Sequence, residues 1–287
     1  MARDPARARD VWRRLEPIHA VTYFSPEPLA ALADAGYKGF WMGYFAGRAA
    51  PLGAVGPDIV GALFYNFAPS RVARALPDAW SYAGPDVALR VRLEGAVAAL
   101  RRLVGDAVPD ADVREAAELA ATAARSAPVD GRALFAANRA LPWPDEPLAV
   151  LWHAATLLRE HRGDGHVALL VALGLSGREC NVFQSAGGNV PREMIQRARD
   201  YDEAEWSGVV AGLAERGLMH PDGTLTADGD ALRAELEART DAAALCAYDA
   251  LDDAQLDRLT ELLTPIARAV VAGGDIPPAT PMGPTLQ

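Results

Sequence analysis

Cysteine is nearly absent: Cys180 and Cys246 are the only two in 287 residues. So few thiols give neither a disulfide framework nor the Cys spacing of a zinc site, and they fit a reducing, cytoplasmic compartment. No apolar run reaches the length of a membrane span, and none follows the N-terminal arginines as a secretory signal requires. No membrane partner is expected. Strand signals are equally scarce; the one short candidate lies around Thr224–Thr226. The Gly-x-Ser-x-Gly elbow, the phosphate-binding glycine loop, the dinucleotide fingerprint and His-Glu-x-x-His are all missing, which removes the best-marked enzyme classes. Cations are outnumbered, with 28 Lys and Arg against 38 Asp and Glu and a net charge of −10. That sign disfavours nonspecific attraction to nucleic acid or anionic lipid. The exception is the basic start "ARDPARARDVWRR", with Arg3, Arg7, Arg9, Arg13 and Arg14, which reads as a solvated helix end.

What the chain does have is helix. Alanine and leucine recur at three- and four-residue spacing through 112–126, 148–161, 167–175, 203–217, 230–246 and 253–271. Prolines and glycines punctuate these runs. The expected fold is mainly α: a large helical part over residues 1–186, a winged-helix-like domain with a short β wing over 190–272, and a flexible Gly/Pro-rich tail over 273–287. Thirteen of the 20 aromatics precede Ala83. A core is the commoner use of such a cluster; the wall of a ligand pocket, with Tyr23, Trp41 and Tyr44 among its residues, is the sharper one. Gly39, Gly43 and Gly47 stand four apart in "GFWMGYFAG" and mark one helix face where a neighbour comes close.

Two stretches read as helix-turn-helix elements. The first is residues 57–80, with the turn at Ala68-Pro69-Ser70. The second, 201–244, reads helix, wing, helix, with a turn at His220-Pro221-Asp222-Gly223. Here Leu213, Arg216, Gly217 and Leu218 form L-x-x-R-G-L, and Leu225, Thr226 and Gly229 form L-T-x-x-G. This pattern resembles the winged helix of MarR-like regulators. Through "LEPIHAVTYF", "YFAGRAAPLG", "LPWPDEPLAVLWHAATLLREHRGDGH" and the wing, the whole chain resembles an actinobacterial helix-turn-helix family. The resemblance implies a regulator with DNA as its partner and brings no mechanism. Charge speaks against direct DNA reading: the reading helix carries Asp202, Glu203 and Glu205, and the wing has Asp222 and no Arg or Lys. The helices at 230–246 and 253–271 are the expected means of forming a homodimer.

"LLREHRGDGHVALL", residues 157–170, concentrates polar chemistry. Its plain reading is a corner between two helices, with Gly163 left-handed after the first and Asp164 capping the second. That leaves His153, Glu160 and His166 unexplained, while His161 and His166 flank the corner and are free to converge. In "LEPIHAVTYF", Glu16 and His19 are three apart and His19 and Tyr23 four apart, so they share a helix face, with Pro17 placing Glu16 near a helix start. A histidine beside a carboxylate is an acid/base pair in the making, although a satisfied buried histidine is commoner for each site alone. The reading is therefore a small-molecule pocket lined by His19, Tyr23, Trp41, Tyr44, His153, Glu160, His161 and His166, in a sensor or regulator. An enzyme using His/Glu acid–base or metal chemistry is the alternative. No spacing specifies a metal, and no cofactor or ligand identity follows.

Overall fold

A computed structural model describes residues 3–188, 190–280 and the backbone of 283–284. Fifteen α-helices are described: α1 (Ala6–Phe24), α2 (Pro26–Asp34), α3 (Gly39–Ala49), α4 (Pro57–Phe64), α5 (Pro69–Ala73), α6 (Ala79–Tyr82), α7 (Pro85–Val104), α8 (Asp110–Ser126), α9 (Ala133–Arg139), α10 (Pro147–Ala172), α11 (Gly177–Ala186), α12 (Arg192–Arg199), α13 (Glu203–Glu215), α14 (Ala227–Leu245) and α15 (Asp253–Ala272). Five of them, α2, α4, α5, α7 and α10, open on proline. Proline's fixed φ suits the first helical turn, where its missing N–H is not needed. Capping boxes start α11 (Ser176 with Glu179) and α15 (Asp252 with Gln255). Pro17 does not mark a helix start; it lies inside α1.

The apolar residues form three cores. The largest joins α1, α7, α8, α10 and α15, with Trp152, Leu100 and Leu263 fully buried. The second gathers α3 to α6 around Phe45, Phe64 and Phe67. The third joins the C-terminal end of α10 to α11–α14 through Leu170, Val182, Ile195, Trp206 and Leu213. Helix α10 thus belongs to two cores. The helices expected to pair two copies use their apolar faces within the chain: α15 buries Leu256, Leu259, Leu262, Leu263, Ile266 and Val270, and α14 packs on α10 and α1. The basic start is no solvated arm either. Arg3 and Arg7 pair with Asp253, and Arg9 pairs with Asp241, lashing α1 to α15 and α14.

The expected corner at 157–170 is absent, and α10 runs unbroken through it for 26 residues. A mid-helix glycine costs only up to about 1 kcal/mol relative to alanine, which packing on both cores outweighs. The glycines serve a neighbour instead. A Cβ on Gly165 would sit 2.5 Å from Arg132 Nη1, and that nitrogen donates to the His161 carbonyl while Nη2 donates to Ala243 O at 2.7 Å. Asp164 does cap a helix, but a different one: its Oδ2 accepts the Phe135 N–H at the start of α9 at 2.9 Å.

The β wing is not formed as a sheet. Between α13 and α14 there is one isolated antiparallel bridge, Met219 to Leu225, closed by Asp222, which accepts both the N–H and the hydroxyl of Thr224. Pro221 has no N–H for a ladder, and inside the bridge the crossing bond is from His220 N–H to Thr224 O at 2.8 Å. The only paired strands described are Ala279–Thr280 and Gly283–Pro284, in the segment read as a tail. That segment is docked at its beginning: Asp275 pairs with Arg102 at 2.6 Å and Ile276 is buried. Residues 281–282 and 285–287 lie outside the described residues.

Candidate functional site

Helix α1 presents His19 and Tyr23 one turn apart toward α10. His19 Nδ1 lies 2.9 Å from Thr156 Oγ1, and Nε2 lies 3.0 Å from Tyr23 Oη. The Thr156 hydroxyl gives its proton to Trp152 O, so its oxygen accepts and Nδ1 carries the ring hydrogen. Nε2 is then the acceptor for the Tyr23 hydroxyl. Burial holds His19 well below its usual pKa, with Arg159 adding to the effect, and raises Tyr23. Both are neutral at physiological pH.

One turn further along α10, Glu160 is buried and doubly held. Arg48 Nε and Nη2 each donate to one of its oxygens at 3.0 Å, a bidentate fork, and Arg159 Nη1 adds a bond of 2.9 Å. Burial alone would raise Glu160, but Arg159 and Arg48 override it and hold the carboxyl well below the usual range. Arg159 also reaches Glu16 at 3.6 Å, which accepts from Trp12 Nε1. The Arg48 guanidinium lies 4.1 Å over the Phe64 ring.

Helix α7 adds Arg92, only 5% exposed. It falls on the apolar stripe of that helix with Ala88, Gly95 and Ala96. Its Nη1 donates to Gly47 O at 2.9 Å, a carbonyl left without its helical partner because the residue four positions on is Pro51. Nη2 reaches Asn138 Oδ1 at 3.3 Å, the Trp152 ring lies 5.3 Å away, and Nε has no partner. Among the described residues no carboxylate pairs with it, and burial lowers its pKa to about 10.

These side chains enclose one cavity. His19, Tyr23, Thr156, Glu160, Arg48 and Arg92 are its polar lining and Leu29, Leu32 and Phe40 its apolar lining, with Tyr44 bringing its hydroxyl to Arg48 at 3.4 Å. Gly43 and Gly47 form the floor, with Leu32 against them at 3.4 and 3.7 Å from where a Cβ would stand. Close packing is thus what the glycine stripe serves there, while Gly39 begins α3 at φ +71°. The free volume is about 10 Å³, room for roughly one water. Phe40 is 43% exposed at the rim.

Four of the eight residues read as pocket-lining meet here: His19, Tyr23, Tyr44 and Glu160. Trp41 stands one layer out, packed on Phe45 and Phe67 with Arg71 at 4.5 Å over its ring. The other three histidines lie elsewhere: on a continuous helix turning about 100° per residue, His161 and His166 face away from Glu160, and His153 shares its face but stands two turns, about 10.5 Å, back along the axis. His153 packs edge-on to Trp143 with Nε2 unpartnered. His161 packs edge-on to Phe135, and neither ring nitrogen makes a well-formed hydrogen bond. His166 meets Thr240 of α14 at 3.0 Å. His161 and His166 do not converge. Burial holds His153 at about 4, His161 at about 3 and His166 at about 4. Among the described residues no three His, Cys, Asp or Glu side chains gather as a metal site. Cys180 is half-buried, and desolvation pushes its thiol up to about 12, away from the thiolate form.

The sequence reading missed Arg48, Arg92, Arg159 and Thr156. The available signal was position: Arg92 on the core-facing stripe of α7, and Arg48 four residues after Tyr44 in a helix otherwise free of charge.

Helices α12 and α13 are joined by a turn at Asp200–Asp202, and Asp202 caps α13 through Glu205 N. The L-x-x-R-G-L…L-T-x-x-G residues have definite work. Gly217 takes φ +73° after α13, and Thr226 Oγ1 donates to Gly217 O and accepts from Gly229 N as the cap of α14. A Cβ on Gly229 would lie 2.1 Å from Leu218 O. Three cations of this region face carboxylates within it, Arg178 to Glu205, Arg192 to Glu203 and Arg216 to Glu179, while Arg197 of α12 is exposed. In the upstream segment at 57–80, α4 ends at Phe64 and a helix of five residues, α5, begins at Pro69. Arg71 and Arg74 of this segment grip Asp200 of the turn.

A model of a helix-turn-helix family matches residues 8–277. No curated protein and no solved structure matches the chain.

Proposed function

Because the chain belongs to the helix-turn-helix family, we propose that it is a small-molecule-responsive regulator of that family, acting in the cytoplasm. Its ligand enters the cavity between α1, α3, α7 and α10. The observation that carries this reading is the buried Arg48–Glu160–Arg159 cluster beside the neutral His19–Tyr23 pair, around a cavity whose rim is apolar. A purely structural core gains little from so many buried ions, since an apolar replacement is often as stable. Two connections link cavity to helix-turn-helix. Helix α10 carries Glu160 at the cavity and Leu170 in the third core. Arg71 and Arg74, just beyond the aromatic layer, hold Asp200 in the turn between α12 and α13.

The MarR-like likeness of this region is part of the proposal, with α13 as the reading helix. Its exposed face, Glu203, Ala204, Glu205, Ser207, Gly208 and Ala211, presents no cation. DNA contact by the chain alone is accordingly weak. Acid–base catalysis finds little support, because neither His19 nor Tyr23 titrates near neutrality. A thermal-shift screen of metabolites against the full chain tests the reading. Stabilisers of the wild-type protein should lose their effect in Tyr44→Ala. Stabilisers that ignore that change, or a complete lack of them, would remove the pocket from consideration.

A further inference from the structure

We propose that the ligand is a monocarboxylate with an apolar body, its carboxylate received between Arg92, Arg48 and Tyr44 and its body lying along Leu29, Leu32 and Phe40. This rests on the pocket reading above and names the chemistry it selects.

Two independent observations point to an anion. The first is charge. The charged side chains lining the cavity are Arg48, Arg92 and Glu160. They carry a surplus of one positive charge, and it sits at Arg92, whose neighbours are a carbonyl, an amide and an indole face. A buried cation without a counter-ion is costly, and one monovalent anion neutralises it.

The second is the donor and acceptor inventory of the wall. Several of its acceptors are taken: both Glu160 oxygens take guanidinium N–H groups, Thr156 Oγ1 takes His19 Nδ1–H, and His19 Nε2 takes the Tyr23 hydroxyl. Three donors there lack a short acceptor. Arg92 Nε–H has no acceptor, and the one contact between Arg48 Nη1 and Tyr44 Oη is long, 3.4 Å, with Tyr44 accepting, which leaves its hydroxyl proton to give. A ligand must therefore bring acceptors, and a planar carboxylate matches guanidinium geometry. The rest of the wall is leucine, glycine and aromatic, which favours an apolar body over a second charged group. With space for about one water in the closed form, entry requires Phe40 to swing out from the rim.

The probes are acetate, butanoate, hexanoate, benzoate and phenylacetate, each paired with its primary amide. They are titrated calorimetrically and by thermal shift into the full chain. At least one carboxylate should bind while its amide binds at least tenfold more weakly. Tyr44→Phe, which keeps the ring and removes the donor, should weaken that carboxylate severalfold. Arg92→Lys should retain part of the affinity, and Arg92→Met should lose it. If Arg92→Met fails to fold, Tyr44→Phe and Arg92→Lys decide. Equal binding of acid and amide, or no carboxylate binding while neutral metabolites bind in a Tyr44-dependent way, overturns the anion proposal and leaves the pocket standing. Carboxylate binding indifferent to both Tyr44 and Arg92 overturns both.

Discussion

Lowering the pH from 7.5 to 5.0 should cost this protein a large part of its stability, through histidines far from the cavity. His161, His153 and His166 are buried and neutral, held at about 3, 4 and 4 against an ordinary 6.5. In the unfolded chain each takes a proton as the pH falls through 6.5; in the fold each resists until the pH reaches its lowered value. Stability is thus unaffected above about pH 7.5, declines from 6.5 downward and levels off below 3 to 4. At pH 5.0 the linkage relation gives a loss of about 2 kcal/mol per histidine, roughly 6 kcal/mol for the three. His19 acts in the same direction. Asp164 opposes them. Burial raises it to about 6, so its penalty, present above pH 6, is relieved as pH falls toward 3.8. That returns about 1.4 kcal/mol by pH 5.0, leaving a net loss of about 4–5 kcal/mol. Against a typical total of about 5–15 kcal/mol this is a large fraction. Urea denaturation followed by circular dichroism at the two pH values measures it. His161→Leu, which removes an imidazole with no well-formed hydrogen bond, should flatten the pH dependence by about 2 kcal/mol. A wild-type difference under 1 kcal/mol would refute the picture of buried neutral imidazoles.

Other outcomes follow from the same contacts. Glu160→Gln strands Arg48 and Arg159 in the interior and should cost about 3–5 kcal/mol in urea denaturation; a change below 1 kcal/mol would mean the cluster is solvated. Asp164→Ala should cost about 1 kcal/mol as the lost cap of α9, whereas Asp164→Asn keeps the acceptor, removes the buried charge and should be neutral or stabilising at pH 7.5. Wild-type chain should bind duplex DNA no tighter than about 10⁻⁴–10⁻⁶ M at physiological salt, the nonspecific range; selection of a palindromic site bound at nanomolar affinity would contradict the neutralised charges of α13.

The helical class was readable because Ala/Leu periodicity and proline at helix starts are local signals. So was the motif around Gly217, Thr226 and Gly229, where turn chemistry dictates residue type. The corner at Gly163–Gly165 was not, because local glycine cost competes with packing that lies far away in sequence: Arg132, Phe135 and Ala243 decide it. The misplaced corner then misplaced the histidines, since only a bend lets His161 and His166 converge. In the site, His19, Tyr23, Tyr44 and Glu160 were found through helical spacing and their polar character in apolar surroundings. The arginines were overlooked because an arginine in sequence reads as surface, and nothing local says that Pro51 leaves the Gly47 carbonyl needing Arg92. The wing was overread from two leucines and a turn, where Pro221 and the Asp222–Thr224 bonds leave one bridge.

A crystal structure of the full chain with its strongest thermal-shift stabiliser tests the central claim most directly. The account predicts ligand density between α1, α3, α7 and α10, with an acceptor group within hydrogen-bond distance of Arg92 Nε and Tyr44 Oη and with Phe40 displaced from the rim. Density at any other place, with the cavity closed around Arg48, Glu160 and Arg92 as it is now, would contradict it.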